Sequence, residues 1–146
     1  MKRLGIISLV VLFFITCTKN VSATDIDKMN GYWEIEKVVF ANGKTKLYKN
    51  SEMYDFFQIK DFTGMRKKVT PVIGGSYLVN LDAEKVTIKQ GKDKFIVHYE
   101  TFYSRWDEEL ISISDEEMVL KNDKFTEYHY KRAKPLKIVN YGKKTQ

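Results

Sequence analysis

The sequence predicts an all-β domain, an antiparallel sandwich or barrel, and three observations support this fold class. The 146-residue chain is 43% hydrophobic and 30% charged, which leaves room for one domain with its own core. Short segments in which apolar and polar residues alternate recur along its central part, as in half-buried strands. Turn-forming Asp, Gly, Asn and Lys separate these segments. Collagen-like, coiled-coil and wholly disordered chains are excluded by this composition.

The first 16 residues are typical of a secretory signal peptide. Lys2 and Arg3 precede an apolar run over 4–15 that only Gly5 and Ser8 interrupt. The run is too short to span a bilayer, which needs about 20 apolar residues, and it has no polar face. Its length and basic start fit an export signal. We therefore expect residues 1–16 to be removed on export.

The one cysteine of the chain, Cys17, directly follows this run. A single cysteine can form neither an intramolecular disulfide nor a cysteine-cluster metal site. Its setting, Phe14-Ile15-Thr16-Cys17, resembles the lipobox of bacterial lipoproteins, which implies a lipid on Cys17 and a polar tether over 17–28. The protein would then be anchored to a membrane of the bacterial cell envelope, facing the periplasm. The alternative is cleavage after Ala23, which would release a soluble, secreted domain.

Strand periodicity begins near residue 29 and continues to residue 133. In the first strand Trp33 and Ile35 alternate with glutamates, and Asn42-Gly43 ends it with the dipeptide most typical of a β-hairpin. We expect the partner strand over 44–49 and one helical turn over 51–53. Further strands are predicted over 54–60, 76–81, 85–90, 94–101, 109–114, 118–121 and 124–132.

Two short motifs at the ends of this region carry a resemblance to a known family. Gly31-Tyr32-Trp33 opens the first strand, and Arg132 ends the last strand on the same face as Tyr128 and Tyr130. In this respect the chain resembles lipocalin-like (calycin-type) proteins. It resembles particularly the lipocalin-like lipoproteins of Bacteroidetes, in the order of Trp33-Glu34-Ile35, Asn42-Gly43, the segment 114–120 and Tyr128-His129-Tyr130. The resemblance implies an antiparallel up-and-down β-barrel over 29–134, followed by a basic tail over 135–146. It also implies that Arg132 packs across the Trp33 ring and, with Gly31, closes the barrel floor.

The inward-facing positions of such a barrel are the candidates for ligand contacts. Tyrosines among them need hydrogen-bond partners once buried, as in a pocket with an apolar body and a few polar groups. A small barrel can instead fill its interior with side chains, and the sequence leaves both options open. The predicted inward positions are Phe57, Ile59, Val86, Ile88, Phe95, Val97, Tyr99, Tyr128 and Tyr130.

No motif indicates catalysis, a cofactor or a metal. His98 and His129 lie on predicted strands, outside any cluster with metal-ligand spacing. The acidic triplets 107–109 and 115–117 are interpreted as solvated turns. The basic run 65–68 is interpreted as a solvated edge strand, with an anion-binding loop as the alternative. We therefore expect no enzyme activity, no cofactor and no catalytic residues.

The sequence predicts an envelope-tethered, lipocalin-like binding protein for a small, mainly apolar ligand, without covalent chemistry. Nucleic acid is an improbable partner for an exported chain, although the chain carries a formal charge of +6; the basic tail is interpreted as solvated. The alternative function is a structural or protein-interaction module with a solid barrel, whose exposed Phe102, Tyr103 and Trp106 would meet a partner protein. The sequence does not predict an oligomeric state.

Overall fold

The computed structural model describes residues 20–72 and 76–133, and these residues form one antiparallel sheet of nine strands. The sheet order is β2-β1-β3-β4-β5-β6-β7-β8-β9, and a pairing between β1 and β9 closes it. The fold is therefore the predicted antiparallel up-and-down barrel: β1 and β3–β9 form the ring, and β2 pairs with the far end of β1. The strands are β1 Gly31–Val39, β2 Thr45–Leu47, β3 Tyr54–Lys60, β4 Thr63–Val72, β5 Ser76–Gln90, β6 Phe95–Glu100, β7 Arg105–Ile113, β8 Glu117–Asn122 and β9 Glu127–Arg132.

Strand β4 corrects the prediction for the basic run 65–68. This segment is not a solvated edge, because β4 lies between β3 and β5 and pairs with both. The two strands predicted over 76–81 and 85–90 are one continuous strand, β5, whose register against β4 shifts between Lys67 and Val69. The register shift, which a bulge produces, accommodates the extra residues without ending the strand.

The helical turn predicted over 51–53 is absent, and the described helix lies elsewhere. A 3₁₀ helix covers Ala23–Met29 and so includes the second half of the segment predicted as a tether, 17–28. The Ser22 backbone N–H and hydroxyl donate to the Asp25 carboxylate at 2.9 and 2.6 Å, and Lys28 donates to it at 2.7 Å. The Lys28 ammonium, followed by Ser22, holds the pKa of Asp25 well below its usual range. The chain therefore packs against the barrel from the start of this helix instead of remaining a free tether.

The barrel has two different ends. At the closed end lie the 3₁₀ helix and the β3–β4, β5–β6 and β7–β8 turns; at the open end lie the β1–β2, β2–β3, β6–β7 and β8–β9 connections. Eight of the nine predicted inward residues are buried, and Tyr128 is partly buried against the same core. The core cluster comprises Ile26, Met29, Trp33, Phe57, Ile59, Val86, Ile88, Phe95, Val97, Tyr99, Leu110, Met118, Leu120 and Tyr130.

Candidate functional site

The closed end is built around Trp33 and Arg132, which face each other across the β1–β9 pair. The Arg132 guanidinium carbon lies 3.9 Å from the Trp33 ring centroid. Its three nitrogens donate to backbone carbonyls of Lys28 at 2.7 Å, Asn30 at 2.5 Å and Asp115 at 2.8 Å. This arrangement joins the helix, the β7–β8 turn and the last strand, and its role is structural.

Gly31 is required by this same contact. Its φ is +109°, a conformation that residues with a side chain rarely adopt. A Cβ added there would lie 3.0 Å from an Arg132 terminal nitrogen. The glycine at the start of the Gly31-Tyr32-Trp33 motif thus leaves room for the guanidinium above the indole.

A cleft of about 200 Å³ lies above Trp33, toward the open end. Seven of its nine lining residues are aliphatic or aromatic, and the polar groups of Asp55, Lys68 and the three tyrosines make about half of its surface polar. Of the predicted ligand-contact residues, Tyr128 and Tyr130 line this cleft, whereas Phe57, Ile59, Val86, Ile88, Phe95 and Val97 pack in the core beneath it. The complete lining is Trp33, Ile35, Val38, Tyr48, Met53, Asp55, Lys68, Tyr128 and Tyr130.

Asp55 and Lys68 reach the cleft because they occupy directly opposite positions on β3 and β4. Asp55 is only 3% exposed, and its Oδ1 contacts the Lys68 ammonium, whose side chain is 42% exposed. Asp55 is also opposite Trp33 on β1. Burial, and then the nearby Asp55 carboxylate, raises the pKa of Tyr130 well above its usual value, so this phenol stays protonated. Asp55 was not among the predicted site residues, although it shares strand phase with Phe57 and Ile59.

A second buried polar cluster surrounds Arg66, deeper than the cleft. The Arg66 Nε donates to Glu84 on the neighbouring strand, and a terminal nitrogen lies 3.9 Å from Glu108 Oε2. The guanidinium carbon lies 4.2 Å from the Tyr99 ring centroid and 5.7 Å from that of Trp106. Arg66 is buried, so the solvated interpretation of this residue is wrong: it sits opposite Phe57, inside the barrel.

Glu108 and Trp106 also depart from the sequence-based expectations. Strand β7 begins at Arg105, so the triplet 107–109 lies within a strand and Glu108, 8% exposed, points inward beside Arg66. Burial raises the pKa of Glu108 and that of Tyr99, whose hydroxyl faces it. Trp106 stacks on Tyr99 with 5.1 Å between ring centroids and is half-buried, so it does not belong to the exposed aromatic surface.

The remaining aromatic pair does project from the barrel. Phe102 and Tyr103 form the β6–β7 loop at the open end and are 93% and 92% exposed. Their rings contact edge to face at 4.9 Å. Beneath them lies a second cleft of about 420 Å³, also lined by Lys68, Asp82, Ala83, Glu84 and Thr101. Lys68 therefore lines both of these clefts.

Each of the two histidines lies beside a carboxylate. His129 lies 3.0 Å from Glu127 on the outer face of β9, and His98 pairs with Asp107. Within residues 20–72 and 76–133, no group of three side chains could hold a metal ion.

No helix of the described chain is long and apolar enough to cross a membrane. Cys17, the signal segment and the basic tail lie outside the described residues.

Comparison with known proteins gives a likeness of fold. No protein-family model and no curated protein matches the chain. A solved lipocalin-like protein from Bacteroides uniformis is 10% identical, with 73% of this chain and 99% of that chain covered and a TM-score of 0.48. An uncharacterized protein from Bacteroides eggerthii is 11% identical, with 72% and 99% covered and a TM-score of 0.47. The assignment of a closed antiparallel barrel rests on the strand pairing described above.

Proposed function

We propose that this chain is an envelope-tethered, lipocalin-like binding protein that holds one small ligand in the open-end cleft and performs no covalent chemistry. The observation that carries the proposal is the cleft itself: an aromatic and aliphatic wall on which Asp55, Lys68 and Tyr130 converge. An apolar body with a few polar groups is the usual composition of a small-molecule site. We propose a ligand with a mainly apolar body and at least one polar group, which matches the aromatic rings and the polar groups of the cleft.

The size of the cleft limits the ligand. Ligand pockets for drug-sized molecules measure about 300–1,000 Å³, whereas an apolar cavity of about 150 Å³ binds benzene. A cleft of about 200 Å³ accommodates one ring with a short chain. The core residues beneath Trp33 fill the lower barrel, so a long acyl chain has no space to extend toward the closed end.

The helix at the closed end supports lipidation of Cys17 over cleavage after Ala23. Val21 packs against the core, and Ser22 makes two hydrogen bonds to Asp25. Cleavage after Ala23 would remove both residues, whereas cleavage before Cys17 retains them. A lipid on Cys17 would hold the closed end toward the membrane, with the open-end cleft facing away from it.

The test is retention of a ligand by the purified mature protein. The protein is incubated with a small-molecule and lipid extract of cell envelopes and examined by native mass spectrometry. Val38→Phe fills the cleft, and Val39→Phe is the matched control, because it makes the same change on the opposite face of β1. We expect the wild type and Val39→Phe to retain a ligand and Val38→Phe to lose it. A wild type that retains nothing contradicts the proposal, as does equal retention by all three proteins.

The second candidate, a protein-interaction module, is favoured by one observation. Phe102 and Tyr103 are almost fully exposed at the tip of the β6–β7 loop, and large exposed aromatics are frequent in interfaces. Crosslinking in intact cells would test it: the wild type should be crosslinked to a specific protein, and Phe102→Ser with Tyr103→Ser should not. If both proteins give the same crosslinks, the loop is not the interface.

A further inference from the structure

The cleft already contains one amine, supplied by the protein. The Lys68 ammonium contacts the buried Asp55 Oδ1 in the wall of the cleft, and the two residues occupy opposite positions on β3 and β4. The partners differ in their environment, because Asp55 is 3% exposed and the Lys68 side chain is 42% exposed. The carboxylate is therefore fixed in the barrel wall, whereas the ammonium is at the end of a flexible chain that reaches in from solvent.

We propose that the cleft binds a ligand that carries a protonated amine on a small apolar or aromatic body, and that the ligand ammonium replaces that of Lys68 on Asp55. This inference rests on the proposed function and specifies its ligand class. Lys68 would then act as an internal occupant of the site, which the ligand displaces.

The asymmetry of the ion pair favours a cationic ligand over an anionic one. An anion bound to Lys68 would draw the ammonium from Asp55 and leave a buried carboxylate unpaired beside a second negative charge, which is strongly unfavourable. An amine leaves Asp55 paired throughout and displaces only the ammonium of the half-exposed Lys68 side chain, which water can solvate once it moves out. When a ligand amine replaces the Lys68 ammonium, the buried Asp55 carboxylate therefore keeps a positive partner.

The wall of the cleft also suits a cation. Trp33, Tyr48, Tyr128 and Tyr130 line it, and the faces of such rings attract ammonium groups. The Tyr130 hydroxyl lies next to Asp55 and can hydrogen-bond to the carboxylate while an ammonium occupies the other side. Asp55 and Lys68 are the two oppositely charged side chains among the residues that line this cleft.

A displaced Lys68 has a second position within reach. It also lines the neighbouring cleft of about 420 Å³, together with the Glu84 carboxylate. Glu84 accepts a hydrogen bond from Arg66 Nε, and a carboxylate can accept several donors at once. Movement of Lys68 toward Glu84 would open the smaller cleft and keep its ammonium beside a carboxylate.

The experiment compares three probes of nearly equal size on the mature protein: 2-phenylethylamine, 2-phenylethanol and 3-phenylpropionate at neutral pH. Calorimetry should give an affinity for the amine about tenfold or more above that for the alcohol or the acid. Lys68→Met keeps the apolar stem and removes the competing ammonium. If Lys68 leaves Asp55 free in about one-tenth of wild-type molecules, the affinity of this variant for the amine should rise about tenfold. Lys67→Met, on the opposite face of β4, is the control and should leave the affinity unchanged.

Two further outcomes decide the proposal. Asp55→Asn should weaken amine binding about tenfold or more while leaving binding of the alcohol unchanged; if this variant does not fold, as shown by circular dichroism, the Lys68→Met result decides alone. Tighter binding of the acid or the alcohol than of the amine, or weaker amine binding by Lys68→Met, would overturn the proposal. Absence of binding by all three probes overturns it as well. In each of these cases, retention of an envelope ligand by the wild type but not by Val38→Phe would show that the proposed function stands without the amine preference.

Discussion

Removal of the Arg132 side chain should loosen the closed end by an amount that the structure allows to be calculated. The guanidinium makes three hydrogen bonds to backbone carbonyls; bonds with a charged donor contribute about 1.5–3 kcal/mol each when well buried, and less here because Arg132 is only partly buried. Stacking on Trp33 adds about 0.5–2 kcal/mol. We expect Arg132→Ala to lower the free energy of unfolding by about 2–4 kcal/mol.

Two companion substitutions separate the contributions. Arg132→Lys should cost less than Arg132→Ala but still about 1–3 kcal/mol, because one ammonium cannot reach three diverging carbonyls or stack as a plane. Trp33→Ala should cost about 3–5 kcal/mol as the truncation of a fully buried aromatic residue. The double mutant should be less destabilised than the sum of the single mutants, with a coupling energy of about 0.5–2 kcal/mol.

Urea denaturation followed by circular dichroism measures each free energy, with Trp33→Phe replacing Trp33→Ala if the latter does not fold. His129→Ala is the control on the outer face of the same strand: its ring meets Glu127 in a surface pair, so the change should stay below about 1 kcal/mol. Losses that add to within about 0.5 kcal/mol would refute the coupling. An Arg132→Ala no more destabilised than His129→Ala would refute the structural role of the arginine.

Three other predictions concern different parts of the chain. Gly31→Ala should destabilise the fold by about 1–3 kcal/mol, because it strains a positive φ and crowds Arg132; a thermal melt unchanged from wild type would contradict this. Burial raises the pKa of Glu108 above its usual 4.5, so from about that pH up to its folded pKa the native state keeps a proton that the unfolded state has lost, and stability falls as pH rises. Glu108→Gln removes this loss, so the stability of the variant relative to wild type should increase with pH across that window in urea titrations, and a difference independent of pH would exclude the effect. Cys17→Ala should yield an uncleaved precursor or a protein absent from the membrane fraction; wild-type and variant proteins that are both found in the soluble fraction after cell fractionation would rule out the lipid anchor.

The strand pattern was predictable because most inward positions nearer the closed end are apolar. Alternation around Phe57, Val86 and Val97 identified the buried face, and these residues are buried. Asn42-Gly43 indicated the first hairpin, where Gly43 adopts a φ of +81°. Local signals of this kind depend only on neighbours in the sequence, so they can be recognised before the pairing of the strands is known.

The charged interior was not predictable in the same way, because its stability depends on partners in other strands. Arg66 is stabilised by Glu84 on β5 and by Tyr99 on β6, and neither contact can be inferred before the register is known. Charged residues are more often exposed than buried, which favoured a solvated edge strand for Arg66 and a solvated turn for Glu108. Strand phase indicates that Glu108 faces inward, because it lies two residues from the buried Leu110.

The 3₁₀ helix was missed for another reason. Its seven residues are too few for a helical period to stand out, and most of them are polar. The signal present was Ser22 followed three residues later by Asp25, the spacing of a reciprocal cap. Ile26 and Met29, which the helix buries, share one face at that spacing.

Polarity changes along the strands, from apolar inward residues near the closed end to polar inward residues nearer the open end. On four strands the inward residue becomes more polar two positions nearer the open end: Phe57 to Asp55, Val86 to Glu84, Val97 to Tyr99 and Leu110 to Glu108. The apolar positions pack against the 3₁₀ helix and supply most of the burial that stabilises the fold. Because the polar positions follow on the same strands, the solid lower core fixes their backbone within the barrel wall. A site built on such strands holds its carboxylate and phenol in place before a ligand arrives, which reduces the entropy lost on binding.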